Sequence, residues 1–257
     1  MSISVTTAIH GHVAEIRFAK PPFNYACPQL LAKIADALDA VDADPALRCS
    51  VLVAEGKSFC AGADLAGDEA ITGGDGMASI GQLYVHAERL FRRAKPMVAA
   101  VHGAAIGAGL GLALTADFRV AGPNTRFSSN FVRLGFHPGF GLTCTLPRLL
   151  GEARANWLML SAERVKPEAA LAWGLADRLA AEGEEVAEAH RMAQEVAANA
   201  PLALVAVRAT MMGDLADRVA AAMRHEHAQQ TLLKPTADYA EGVASVFERR
   251  EANFLGR

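Results

Sequence analysis

The sequence predicts an α/β protein with largely parallel strands, and three observations predict it. Short apolar runs at residues 49–54 and 97–101 read as buried strands, and each is followed by a glycine- and alanine-rich segment that leads towards a helix. Strand-like runs alternate with helical periodicity through the first half, as crossovers between parallel strands require. From residue 142 onward the pattern is mostly helical.

The elements follow in order. Residues 3–9 and 13–18 alternate apolar and polar residues on either side of His10-Gly-His12, the pattern of a β-hairpin. Over residues 28–41, Leu30, Leu31, Ile34, Leu38 and Val41 fall on one helical face, and the pattern stops before Asp44-Pro45. After the strand at 49–54, residues 67–81 are polar and glycine-rich, with Gly73, Gly74 and Gly76, and predict a mobile loop. A helix is predicted over 79–93, stopped by Lys95-Pro96. A strand over 97–101, a helix over 107–115 and a strand over 117–121 follow. Helices are then predicted over 142–150, 152–161, 167–172, 184–199, 201–211, 215–233 and 239–253. No internal repeat of fixed period is present. Asn199-Ala-Pro201 divides a core of residues 1–199 from a helical C-terminal region of residues 200–257.

Composition narrows the function classes. A chain of 257 residues buries a substantial core in one large domain. Its 52% apolar and 21% charged content is ordinary for a globular protein, and no apolar run approaches the roughly 18–20 residues of a membrane span. Met1-Ser-Ile-Ser-Val-Thr-Thr7 shows neither the basic nor the apolar part of a secretory signal, so a cytoplasmic location is expected. Cys27, Cys49, Cys60 and Cys144 show no paired spacing and read as free thiols. The net charge of −3 argues against nucleic-acid binding, so a polyanionic small molecule would have to meet local basic residues.

The chemistry is carried by Gly56-Lys-Ser-Phe-Cys-Ala-Gly-Ala-Asp-Leu65 and His102-Gly-Ala-Ala-Ile-Gly-Ala-Gly-Leu-Gly-Leu112. Small residues at a strand–helix junction let backbone N–H groups point at a ligand. Two such groups together make an oxyanion hole, which stabilises a carbonyl oxygen as it gains charge. No evident nucleophile or metal cluster accompanies them. The pair therefore predicts an enzyme that holds an activated carbonyl and forms an enolate-like anion.

In order along the chain, these segments and their neighbours resemble the crotonase superfamily, also called the enoyl-CoA hydratase/isomerase family. The resemblance runs over almost the whole chain. Lys20-Pro-Pro-Phe-Asn24 is similar to its early Pro-x-x-Asn element, and Ser58-Phe-Cys-Ala-Gly-Ala-Asp-Leu65 to its first oxyanion motif. Lys95-Pro-Met-Val-Ala-Ala-Val-His-Gly103, Gly107-Ala-Gly109 and Ala116-Asp117 resemble its second. Phe127-Ser128, Leu134-Gly-Phe-His-Pro-Gly139, Leu146-Pro-Arg-Leu-Leu-Gly151, Glu168-Ala-Ala-Leu-Ala-Trp-Gly-Leu-Ala-Asp177 and the segment from Glu241 to Phe254 complete it.

The resemblance implies a spiral of ββα units with a helical C-terminal trimerisation region, assembled as a homotrimer or hexamer. It also implies an acyl-CoA thioester ligand, with coenzyme A as part of the substrate and no separate cofactor. By motif position the oxyanion N–H groups fall on Ala63 and Ala108, and substrate-binding positions on Ala61, Gly62, Asp64, Leu65, Gly109, Gly111, Phe131 and Gly139. Lys20, Lys57 and Arg249 or Arg250 are the expected cations for the CoA phosphates, with surface charge as the alternative reading; Phe254 is expected to pack on the ligand or a neighbouring subunit.

The chain also departs from the family pattern. The two glutamates that handle water in the family's hydratases fall on Gly111 and Phe131, neither of which transfers a proton. Phe131 implies an apolar or aromatic acyl pocket. The family's dehalogenases place an aspartate nucleophile at the position of Gly139, which disfavours that reaction too.

Other acids or bases lie near the implied pocket in the sequence. Imidazole is the side chain suited to moving protons at neutral pH, and His137 borders the implied acyl pocket, against the reading of a packed loop histidine. Tyr84 and Glu88 share a helical face and could act together, whereas His86 points elsewhere. Asp68 and Glu69 read as surface charges, Asp64 and Asp117 as structural carboxylates, and His102 as a satisfied histidine. The i,i+2 spacing of His225 and His227 splits them across a helix, so no metal is expected there. Gly107-x-Gly109-x-Gly111 misses the spacing of a dinucleotide loop. The expectation is an acyl-CoA enzyme of isomerase or other enolate type. Hydration or thioester hydrolysis by other groups, and non-catalytic acyl-CoA binding, are the alternatives; neither nucleic acid nor membrane is an expected partner.

Overall fold

A computed structural model describes residues 2–65 and 73–257 of the protein. Asp68 and Glu69, with residues 67–72 of the predicted loop, lie outside the described residues. The chain opens with β1 (Ser4–His10) and β2 (Val13–Ala19), paired antiparallel across the Gly11 turn. Helix α1 (Pro28–Ala43) buries Leu30, Leu31, Ile34, Leu38 and Val41, the face its periodicity predicts. It leads to β3 (Cys49–Ala54), then α2 (Gly76–Arg92), β4 (Met97–Val101), β5 (Ala104–Ile106), α3 (Ala108–Thr115), β6 (Phe118–Ala121) and β7 (Arg126–Ser128). A 3-10 turn at Asn130–Leu134 precedes α4 (Leu142–Leu150), α5 (Glu152–Ser161), α6 (Pro167–Trp173), β8 (Arg178–Leu179) and α7 (Glu185–Ala197). The chain ends with α8 (Pro201–Met212), α9 (Leu215–Leu233) and α10 (Ala237–Glu248).

The main sheet has six strands in the order β1-β2-β3-β4-β6-β8, parallel from β2 onward, and β5 pairs with β7 in a small parallel sheet. β3 and β4 are buried throughout and, Ser50 apart, apolar, because each face of the sheet is covered. Val51, Val53, Val98 and Ala100 pack on one side with Ala189, Ala193 and Ala197 of α7. Leu52, Ala54, Met97 and Ala99 join the larger core of α1, α2 and α3 on the other. Val219, Met223 and Tyr239, from α9 and α10, belong to that same core. Among the described residues, no helix is long and apolar enough to cross a membrane.

Asp117 anchors the junction between β4, α3 and β6. Its carboxylate accepts from Arg93 at 2.5 Å, from the Met97 amide at 2.8 Å and from Arg208 of α8 at 3.0 Å. Burial works against the charged form, but Arg93 and Arg208 together hold the carboxyl below its ordinary range. The carboxylate expected to be structural is the centre of a buried ion network.

Two helix boundaries differ from the sequence expectation by three residues or more, and the short strands β5 and β7 were not expected. Helix α2 starts at Gly76 rather than residue 79, because buried Gly76 and the Ser79 N–H to Asp75 O bond continue the first turn despite weak glycine propensity. Helix α10 stops at Glu248 rather than 253, where Arg249 turns left-handed at φ 53° and the tail folds back. That tail is tied by Asn253 N–H to Glu241 and by the Leu255 and Gly256 N–H groups to Asp238. Strands β5 and β7 escape periodicity because three-residue strands within small residues carry almost no pattern.

Candidate active site

The two glycine-alanine segments run side by side. Phe59 and Cys60 N–H donate to the His102 and Ala104 carbonyls, and Ile106 N–H donates back to Cys60 O at 3.1 Å. On the other flank, Ala61 N–H donates to Phe23 O, and Ala26 N–H to Gly62 O. Asn24 fixes that flank: its side-chain amide donates to the Glu55 and Ser58 carbonyls at 2.7 and 2.8 Å, and its Oδ1 accepts from Lys20 N–H. The Pro-x-x-Asn element therefore acts as a brace.

Within this ribbon the amides of Ala63 and Ala108 have no hydrogen-bond partner among the described residues. Ala108 opens α3, whose N-terminal dipole adds positive potential at that point. Gly107 before it adopts φ 56°, a left-handed conformation that side chains resist. Gly109 answers a close approach: a β-carbon there would lie 1.9 Å from the Cys60 carbonyl oxygen. Residues 60–63 and 107–109 are thus held together by backbone contact.

Phe140 fills the space beside Gly111. A β-carbon on Gly111 would lie 2.5 Å from the Phe140 Cγ, and the ring is 1% exposed. Phe131 stands at the other end of the same turn, its ring within 3.6 Å of where a Gly107 β-carbon would be. Aromatic carbon thus borders α3 at both places.

The predicted acid/base residues separate. Tyr84, on α2, is buried, and its hydroxyl donates to Gln230 Oε1 of α9 at 3.0 Å. A β-carbon on Gly139 would sit 2.0 Å from that hydroxyl, so Gly139 and Tyr84 are in contact. Burial, reinforced by the charge of Glu226, pushes the phenol well above its usual range and keeps it neutral. Glu88 instead accepts from Arg92, which also pairs with Asp217, so no Tyr84–Glu88 dyad forms. The i,i+4 spacing is right, but the carboxylate has a closer cation.

His137 is half-buried, its Nδ1 2.7 Å from the Pro138 carbonyl and its ring 6.1 Å from that of exposed His225. A carbonyl oxygen only accepts, so Nδ1 is the donor in that contact, and the neutral tautomer that fits it has Nε2 as its acceptor. His137 O accepts from Gln230 Nε2, which joins His137, Gln230 and Tyr84 in one chain of bonds.

Sequence reasoning missed Gln230 and Glu226, two polar residues on the α9 helix. Glu226 is fully buried and accepts from Gly141 N–H, Thr143 N–H and the Thr143 hydroxyl at 2.7, 3.0 and 2.6 Å. It caps the start of α4. Burial pushes its carboxyl up, against the pull of those donors. Four-residue spacing of polar groups on one helical face was the available signal.

The remaining positions are more scattered. Lys20 and Asp64 are each 9% exposed, and Leu65 packs against the main core. Lys57 and Arg249 are exposed, and Phe254 is 43% exposed on the folded-back tail. Arg250 is tied to Glu241 and Glu248. His102 Nε2 lies 2.9 Å from Gly56 O, the satisfied role expected of it, and His227 Nε2 lies 2.8 Å from Met77 O. Burial raises the Cys49 thiol to about 12 and the Cys60 thiol to about 11, which removes both as nucleophiles. A cavity of about 630 Å³ lies elsewhere, between α8 and Leu114, Asp117 and Leu149; none of the site positions lines it.

A mostly parallel sheet wrapped by helices, with the small-residue segments around Ala63 and Ala108 bonded side by side, defines an α/β protein of the ββα type. The family model for enoyl-CoA hydratase/isomerase matches residues 8–257, and the chain belongs to that enzyme family. It is 34% identical to a crotonyl-CoA hydratase of Syntrophomonas wolfei over 229 residues, 88% of each chain. It is 30% identical to the 1,2-epoxyphenylacetyl-CoA isomerase of Escherichia coli over 233 residues, 89% of each. The crystal structure of an enoyl-CoA hydratase/isomerase from Pseudoalteromonas atlantica superposes with a TM-score of 0.84 at 28% identity, covering 98% of this chain and all of that one.

Proposed function

We propose that the protein binds an acyl-CoA thioester, polarises its carbonyl with the Ala63 and Ala108 N–H groups, and stabilises the resulting enolate for isomerase-type chemistry. The observation that carries this reading is the pair of amides without a partner among the described residues, on a ribbon so close that only glycine fits at position 109. Donors fixed in advance cost no reorganisation as charge develops on the oxygen.

The proton inventory favours isomerisation over hydration. Family resemblance sets the hydratases' glutamates at Gly111 and Phe131, and Phe140 leaves no room for a side chain at the first. His137 Nε2 serves as the base that moves a proton at carbon. Tyr84, kept neutral, serves as a hydrogen-bond donor and orients the His137 loop through Gln230. The name of the Escherichia coli relative, an isomerase, agrees with this reading; that of the Syntrophomonas relative favours hydration.

The assembly proposed is a homotrimer or a dimer of trimers. Helix α8 supports it, because Leu202, Val207 and Met211 are 85%, 62% and 70% exposed, an apolar surface that association would cover.

Incubation with aliphatic and aromatic enoyl-CoA esters in D₂O tests the function. Deuterium uptake with a shifted double bond and no added water is expected. Net addition of water would replace the proposal with hydration, release of free CoA with hydrolysis. Binding with neither exchange nor product across the panel would leave only an acyl-CoA-binding protein.

A further inference from the structure

We propose that His10, Glu15 and His190 form a binding site for one divalent ion of the zinc class, which clamps the N-terminal hairpin to α7. The three side chains come from β1, β2 and α7, and one donor atom from each lies within 4.8 Å of the others. Glu15 Oε2 is 2.8 Å from His190 Nε2, and the His10 and His190 rings meet edge-on at 4.8 Å between centroids. Glu15 shares its sheet face with Val13, the face that α7 covers.

The donor set fits the ion. Two imidazoles and a carboxylate suit zinc or cobalt better than calcium or magnesium, which take oxygen ligands. Around a tetrahedral ion with bonds of about 2.0–2.1 Å, neighbouring donors stand about 3.3 Å apart. Small adjustments reach that spacing: Glu15 and His190 part slightly, and exposed His10 swings in. Zinc would take the place of the proton between Glu15 and His190.

Arg17 completes the arrangement. It holds Glu15 Oε1 with its Nε at 2.9 Å and an Nη at 2.8 Å, which leaves Oε2 for the site. A ligating carboxylate fixed from behind is a regular outer-shell feature of metal sites. Burial opposes the Glu15 charge, but the hydrogen bonds from His190 and Arg17 outweigh it and hold the carboxyl below its ordinary range. A fourth position beside exposed His10 is open to water.

The test uses full-length, tag-free protein treated with a chelator and dialysed, then titrated with Co²⁺ and Zn²⁺. One equivalent per chain is expected, with the visible bands of tetrahedral cobalt bleached by zinc and a melting temperature that rises with zinc concentration. His10→Ala and His190→Ala should each weaken binding at least tenfold. Since His10 is exposed, His10→Ala carries the test if His190→Ala fails to fold. Absence of saturable binding at one per chain, or stoichiometric binding unchanged in the variants that fold, overturns the proposal.

Discussion

The Phe140 side chain stands against Gly111, so that a β-carbon at 111 would lie 2.5–2.6 Å from its Cβ, Cγ and Cδ1. Glycine at 111 and phenylalanine at 140 are therefore one feature. Gly111→Ala overpacks the site and should cost about 1–3 kcal/mol. Phe140→Ala empties a core position and should cost about 3–5 kcal/mol. The double variant should lose less than the sum, since each change relieves the other. Urea unfolding of the four proteins reads this coupling, and strict additivity would refute the contact.

Tyr84 and His137 are separable by kinetics. If His137 moves the proton, His137→Ala lowers kcat about 10²–10⁴-fold. Tyr84→Phe deletes one hydrogen bond to Gln230, about 0.5–1.5 kcal/mol of stability, and lowers kcat with KM nearly unchanged. Because burial raises the Tyr84 phenol, the alkaline limb of the rate profile should be the same in wild type and Tyr84→Phe. Full activity in both variants would remove these residues from the mechanism.

The Asp117 network predicts an acid transition. Its carboxyl titrates lower in the folded protein than the ordinary 3.8, so its stabilisation is complete above that value and is lost as pH falls through the folded one. Asp117→Asn removes the carboxylate paired with buried Arg93 and Arg208 and should cost about 3–5 kcal/mol near neutral pH. Its stability should also vary less with pH below about 4 than that of wild type. Thermal unfolding across pH reads both effects; parallel pH profiles would refute the assignment.

Much of this fold was legible because its elements are strongly bounded. Strands β3 and β4 and helices α4, α5 and α9 lie where apolar runs end at glycine, proline or polar residues. The two small-residue segments could be paired from sequence because their runs of glycine and alanine each follow an apolar strand run. What escaped depends on contacts made after folding. Phe140 reads as one more apolar residue until the loop brings it onto α3. Glu226 and Gln230 meet their partners 85 and 93 residues away, and His190 meets Glu15 at a separation of 175. Periodicity carries no information at that range.

The central claim is that the Ala63 and Ala108 amides grip a thioester oxygen. The direct measurement is the infrared stretch of a ¹³C-labelled thioester carbonyl bound to wild type and to Gly109→Ala, whose β-carbon would lie 1.9 Å from the Cys60 carbonyl oxygen and push the two segments apart. The account predicts a shift to lower frequency in wild type. In Gly109→Ala that shift is lost and kcat/KM falls about 10²–10³-fold. A tightly bound thioester whose carbonyl frequency in wild type matches that in water would contradict it.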